Sequence, residues 1–238
     1  MGETRKGLLL ISDFALSFMW VCSSVFVKIF VYNFLGFEHN FTGDIVKLCF
    51  SLVNLFFFAI LGKFAGGAAY NPLTILGGAI SGGFSRFLFT IGARIPAQVF
   101  GAIYGVKLLI QMFPEISRGP KLNVNIHQGA LTEGILTFMV VLISLSLARS
   151  IPGSFVRKTW ISSISKLTLN ILGSDLTGGC MNPASVMGWA YARGDHITKE
   201  HIFVYWLAPI EATLLAVWIF MVLFPKAKET SDTKPKSE

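Results

Sequence analysis

The chain has 238 residues, 53% of them hydrophobic and only 14% charged, where an ordinary soluble domain carries roughly 25%. So few ions do not cover a soluble body of this size, and the composition places the chain in a membrane. Its 20 Lys and Arg outweigh 13 Asp and Glu for a net charge of +7, but the cations mostly punctuate apolar stretches, which points to topology and away from nucleic acid.

A helix needs about 20 mainly apolar residues to cross the hydrocarbon. Such runs predict six spans, at about 8–34, 46–62, 94–113, 128–148, 158–172 and 202–224. The first follows Arg5 and Lys6, as a signal peptide would, but Asp13 interrupts it and it continues to Phe34, too long for a cleavable core. Two further uncharged runs, 64–85 and 176–192, are rich in Gly and broken by Asn-Pro. Proline suits the first helical position, with Asn before it as N-cap. Each run therefore reads as a loop followed by a short helix beginning at Pro72 or Pro183. Loop backbone at membrane depth is tolerated only inside protein or beside a water-filled cavity, so both are expected to be re-entrant half-helices. The fold class expected is an all-α membrane protein with six transmembrane helices and two half-helices.

Cations orient the spans. Arg5 and Lys6, then Lys63, Arg86 and Arg94, then Arg149, Arg157 and Lys158 mark cytosolic loops and place both termini in the cytosol. The opposite loops, with Glu38, Asp44, Asp175, Asp195 and Glu200, are poorer in cations relative to anions; the loop with Glu115, Arg118 and Lys121 is a mild exception. The polar tail, residues 226–238, is expected to be a disordered cytosolic segment.

The Asn-Pro sites stand 111 residues apart (182 − 71), and each follows a span carrying one acid, Asp13 or Glu133. Both halves thus read as span with acid, span, half-helix, span. Three spans per half make the second copy inverted, with halves at about 8–115 and 116–225 in one domain of residues 1–225. The half-helix N-termini should meet near the midplane, each concentrating roughly half a positive charge. Asp13 and Glu133 either anchor the half-helices by accepting hydrogen bonds from loop backbone or relay protons; anchoring is the expectation. Neither acid has a nucleophile or metal ligands beside it, which argues against an enzyme. Cys22, Cys49 and Cys180 are scattered and support neither a disulfide framework nor a zinc site.

Asn71-Pro72-Leu73, Asn182-Pro183-Ala184, the two span acids and Gly178-Gly179-Cys180-Met181 together resemble the aquaporin superfamily. Within it the chain is similar to the second type of plant small basic intrinsic protein, whose first triplet is also NPL and whose second is followed by a stretch like residues 185–192. The resemblance implies six helices around each pore, a homotetramer, no cofactor or metal, and a location in the endoplasmic reticulum membrane. It implies a passive channel for water and/or other small neutral solutes. The end Lys234-Pro235-Lys236-Ser237-Glu238 resembles a dilysine retrieval signal. Gly101-x-x-x-Gly105 and Gly78-x-x-x-Gly82 offer small-residue faces for the packing.

In such a channel Asn71 and Asn182 would present amide donors to a passing water beside the positive helix ends, breaking the proton-relaying chain and repelling cations. Each would also serve as an N-cap. Leu73 departs from the usual Ala. The family's constriction, carried over by offset, falls on Ser51, Asn170, Gly179 and Ser185, where water-selective members resemble Phe, His, Cys or Gly, and Arg. Without the ring and the Arg, a wider, polar opening is expected that admits small neutral solutes as well as water. The alternative is a poorly conducting scaffold or regulatory protein in which neighbouring side chains, such as Phe of span one or two, fill the space. Cys180 either faces the pore or packs. His39, His127, His196 and His201 fall in or beside loops, where solvation is the ordinary fate, and Asn40-Phe41-Thr42 is an N-x-T acceptor.

Overall fold

The computed structural model describes residues 2–80, 82–115, 119–149 and 151–225. The tail 226–238, with its expected disorder and dilysine-like end, and Arg118 of the exceptional loop lie outside them. Every regular element among the described residues is helical. In chain order these are α1 (Glu3–Phe34), α2 (Phe41–Phe64), α3 (Pro72–Ile80), α4 (Phe84–Met112), α5 (Ile126–Arg149), α6 (Phe155–Gly173), α7 (Pro183–Arg193) and α8 (Lys199–Leu223).

Five of these, α1, α2, α4, α5 and α8, are long and apolar enough to cross a membrane. The sixth long helix, α6, has 19 residues and carries Arg157, Lys158 and Lys166. The expected half-helices α3 and α7 have 9 and 11 residues, too short to cross at 1.5 Å per residue. The third span begins at Phe84 rather than near residue 94: Arg86 and Arg94, read as loop cations, both lie within the helix.

Local chemistry sets the boundaries. The Asn40 carboxamide caps α2 by accepting from Gly43 N–H at 3.0 Å, Ser154 caps α6 through Arg157 N–H at 3.3 Å, and Thr198 caps α8 through His201 N–H at 3.2 Å. Pro183 follows its cap Asn182 at the start of α7, and Gly194, at φ 83°, closes that helix in the left-handed region. Both halves carry a further feature that the hydropathy pattern does not mark. In α4 a π-helical turn at Thr90–Arg94 precedes Pro96, and in α8 one at Phe203–Leu207 precedes Pro209. Proline has no N–H to give the preceding turn, and the wider turn accommodates that loss.

The halves interlock. The second half's α7 packs through Trp189 into a cluster with Val21 and Val25 of α1 and Ala102, Val106 and Leu109 of α4. The first half's α3 reaches through Ile80 into the cluster of Leu136, Val140 and Val141 of α5 with Ala216 and Val217 of α8. Van der Waals fit rather than water exclusion drives such packing in lipid. Glycine permits it: a Cβ on Gly101 would run into the Phe14 carbonyl of α1, and one on Gly188 would lie 2.8 Å from the Ala102 carbonyl oxygen. Gly101 and Gly105 are therefore used within the chain, against α1, whereas Gly78 meets no neighbouring helix. The half-helices end on opposite faces. Ile80 lies with Val217 toward the face where α8 ends, and Tyr191 of α7 has the Lys107 ammonium of α4 4.8 Å from its ring on the other.

Candidate functional site

The N-termini of α3 and α7 meet inside the helix bundle through their two asparagines. Asn71 Oδ1 accepts from Leu73 N–H at 3.0 Å, and Asn182 Oδ1 accepts from Ser185 N–H at 3.3 Å. Each Nδ2 crosses to the opposite loop: Asn71 donates to Met181 O at 2.7 Å, Asn182 to Tyr70 O at 3.2 Å. A carboxamide nitrogen carries two N–H bonds, so each Asn keeps one with no protein acceptor among the described residues. Both asparagines border one cavity of about 1380 Å³.

Behind this junction the span acids grip the two loops. Asp13, fully buried, accepts from Ala69 N–H at 2.8 Å and pairs with Arg94, Nε to Oδ2 at 2.6 Å and Nη2 to Oδ1 at 2.9 Å. The same Nη2 donates to Gly67 O at 2.9 Å. Glu133, equally buried, accepts from the Thr177 hydroxyl at 2.6 Å, Cys180 N–H at 2.9 Å and Met181 N–H at 2.9 Å. Neither acid lines the cavity.

Ser51, Asn170, Gly179 and Ser185 all line that same cavity, together with Leu73. Leu73 is almost wholly buried at its edge. Pro72, Pro183 and Ala184, buried, start their half-helices outside the lining. Asn170 is less free than its position suggests, because its Nδ2 donates to Gly178 O at 3.2 Å and Gly179 O at 2.9 Å. The loop lies so close to α6 that a Cβ on Gly179, which also has φ 55°, would meet the Asn170 carbonyl. Met181 takes φ 46°, the described non-glycine residue in the left-handed region, and turns the chain into Asn182 where its own N–H and C=O are both bonded across. Cys180 borders the cavity and also packs beside Val186, Val204 and Tyr205.

Other lining residues lie outside the motifs and their offsets. Trp20 and Tyr70 stack at 4.2 Å between ring centroids and both face the cavity; the Phe side chains of α2 do not line it. Lys28, Lys47 and Lys166 contribute three cations to the wall. Their signal was available, since an ionisable residue within a span is a functional candidate by default. His39 lies at the cavity's mouth against Tyr32, 3.9 Å between ring centroids, and His201 is buried in the first turn of α8 rather than solvated. The Asn40 carboxamide is committed to capping α2.

Residues 9–220 match the major intrinsic protein family. The chain belongs to that family. It is 59% identical over 232 residues to the probable aquaporin SIP2-1 of Arabidopsis thaliana, covering 97% of this chain and 98% of the relative. To the aquaporin SIP2-1 of Oryza sativa subsp. japonica it is 50% identical over 242 residues, 100% of this chain and 96% of the other. The X-ray structure of the aquaglyceroporin from Plasmodium falciparum superposes with a TM-score of 0.72, covering 92% of this chain and 98% of that one, at 17% identity; this likeness bears on the fold alone. As expected, the chain is an all-helical, multi-pass integral membrane protein of the aquaporin fold. Membership implies a passive channel for water or small solutes, not an enzyme.

Proposed function

We propose that water and small neutral solutes cross the membrane through the cavity between the half-helices and are selected at two levels. At the junction, the uncommitted N–H of Asn71 and that of Asn182 hold a solute oxygen, and the two helix N-termini oppose cations. At the second level, Ser51, Asn170, Gly179 and Ser185 form a constriction with small polar groups and no Arg, which favours neutral solutes larger than water as well as water. The observation carrying this reading is that two asparagines, each capping its own half-helix and bonded to the opposite loop, converge on one cavity with all four constriction residues. Pro72 and Pro183 fix the starts of the half-helices, and Asp13 and Glu133 anchor their loops. Residues 1–225 act as one channel domain of two inverted halves, assembling as a homotetramer in the endoplasmic reticulum membrane with both termini cytosolic.

Purified protein in liposomes, followed by light scattering under osmotic and solute gradients, tests the proposal. Flux above empty liposomes is expected for water and for at least one small neutral solute, and it should fall on Asn182→Asp, which exchanges an N–H donor for an acceptor. Equal flux in that variant removes the role given to the second motif. One observation favours the scaffold alternative: the Trp20–Tyr70 stack and Leu73 put large apolar groups on the wall. No flux for any solute would establish it.

A further inference from the structure

Lys166 stands near the middle of α6, on the side that lines the cavity. The close ion pairs among the described residues are Lys47–Asp44, Arg94–Asp13 and Arg193–Asp195, so no described acid neutralises it, and it makes no hydrogen bond to a described residue. An ammonium away from bulk water needs acceptors for three N–H bonds. Here those acceptors come from whatever fills the cavity.

The register of α6 fixes its level. The Lys63 ammonium of α2 lies 4.5 Å from the Phe155 ring centroid, and the Phe56 ring lies 5.0 Å from that of Trp160. The two helices thus run antiparallel side by side, and continuing the same ladder brings Lys166 to within a turn of Ser51. Asn170 is about 6 Å further along the helix. Lys166 therefore sits at the constriction, on a different wall from Ser185, and returns a positive charge to a place where the Arg is missing.

Among the described residues the carboxylates of the cavity wall are Asp44 and Glu115. They stand near its mouth, beside the start of α2 and just beyond α4, with Lys28 and Lys47. Asp44 is committed to Lys47 at 2.6 Å and to the Tyr32 hydroxyl at 2.7 Å. Deeper in, the charged and N–H-bearing features are Lys166, the spare N–H of each Asn and two half-helix N-termini, set among neutral hydroxyl and apolar groups such as Ser51, Ser185, Trp20 and Leu73, and no carboxylate of the described lining lies beside them. We infer that Lys166 is the binding site of a small monovalent inorganic anion, with chloride or nitrate as representative ligands, and that the pore passes such anions as well as neutral solutes. This rests on the reading of the cavity as the solute path.

The full-length protein in liposomes enclosing a chloride-quenched dye and nitrate, with valinomycin and potassium to balance charge, tests it. Water flux is read by light scattering on the same vesicles. Wild type should take up chloride roughly tenfold faster than empty liposomes, Lys166→Arg should retain most of that, and Lys166→Met should lose it. On wild type alone, nitrate should slow water flux relative to impermeant gluconate at equal osmolarity, a measurement that does not depend on a variant folding. Water flux without chloride uptake overturns the anion inference and leaves the channel reading standing. Neither flux overturns both. Chloride uptake that persists in folded Lys166→Met, or nitrate and gluconate acting alike, removes Lys166 as the site.

Discussion

Asp13 and Glu133 occupy matching places in the two halves, yet the first is held by a cation and the second by backbone. Asp13 shares its carboxylate between Ala69 N–H and the forked guanidinium of Arg94, which also reaches Gly67 O. Glu133 has no cation and instead collects two consecutive N–H groups, of Cys180 and Met181, and the Thr177 hydroxyl. A buried carboxylate is stabilised either by an opposite charge or by several aimed donors. The first solution ties the loop before α3 to α1 and α4 together. The second depends on the loop before α7 being bent so that successive N–H groups point one way, which the left-handed Gly178, Gly179 and Met181 achieve.

The sharpest way to break this comparison is to neutralise each acid at nearly constant shape. Asp13→Asn leaves the Arg94 guanidinium without its counter-ion at a site where the Arg side chain is only 12% exposed, and should cost about 3–5 kcal/mol. Glu133→Gln replaces one of the two acceptor oxygens with an NH2 group, leaves at least one of the three donors unpaired, and should cost about 1–2 kcal/mol. Thermal unfolding of the purified protein in detergent reads both. Equal losses would show that the ion pair is not what distinguishes the halves. Asp13→Asn/Arg94→Met should recover part of the first loss, because the uncompensated charge is gone.

Much of this architecture is legible in the sequence, and the parts that are not share a cause. Asn-Pro within a Gly-rich, uncharged run is a local signal, so both half-helices and their caps could be read directly, as could the acids that interrupt α1 and α5. Arg94 could not be assigned that way. Its partner Asp13 lies 81 residues earlier, and a cation near a span boundary reads as a topological marker until the fold brings an acid beside it. Lys166 is hard to single out for the opposite reason. In a helix already carrying Arg157 and Lys158, a third cation looks like more of the same, although the other two stand in the first turn and this one in the middle. The offsets from Asn71 and Asn182 led to four residues that do line one cavity, but offsets know nothing of Lys166, Trp20 or Tyr70, which come to the wall from other turns and other elements.

Gly179 sharpens the comparison from the loop side. The second half relies on its left-handed bend and on the contact of that bend with α6, and no glycine of the first-half loop has a neighbour within 4 Å of a hypothetical Cβ. Gly179→Ala combines a disfavoured φ of 55° with a clash against the Asn170 carbonyl and should cost about 2–3 kcal/mol. Gly66→Ala, at φ 66° in open space, should cost about 1 kcal/mol from backbone strain alone. Melting temperatures of the two variants check the ranking, and a Gly66→Ala loss as large as that of Gly179→Ala would deny the second loop its special dependence on close approach.

The smallest expected effect is the most specific, because it asks whether the two loops are coupled through single residues. Met181 donates its N–H to Glu133 and accepts from Asn71 with its C=O, so one residue links the second half's acid to the first half's asparagine. The reverse path is longer by a residue: Asp13 takes the N–H of Ala69, while Asn182 donates to the C=O of Tyr70. Residues sharing a partner interact by about 0.5–3 kcal/mol in double-mutant cycles. Asn71→Ala with Glu133→Gln should therefore show a coupling of about 0.5–1 kcal/mol, and Asn182→Ala with Asp13→Asn a smaller one. A hydrogen bond of 2.7 Å from Asn71 against 3.2 Å from Asn182 points the same way. If the second cycle couples as strongly as the first, the junction behaves as a symmetric unit despite its differently anchored loops, and the difference between Asp13 and Glu133 stops at the loops themselves.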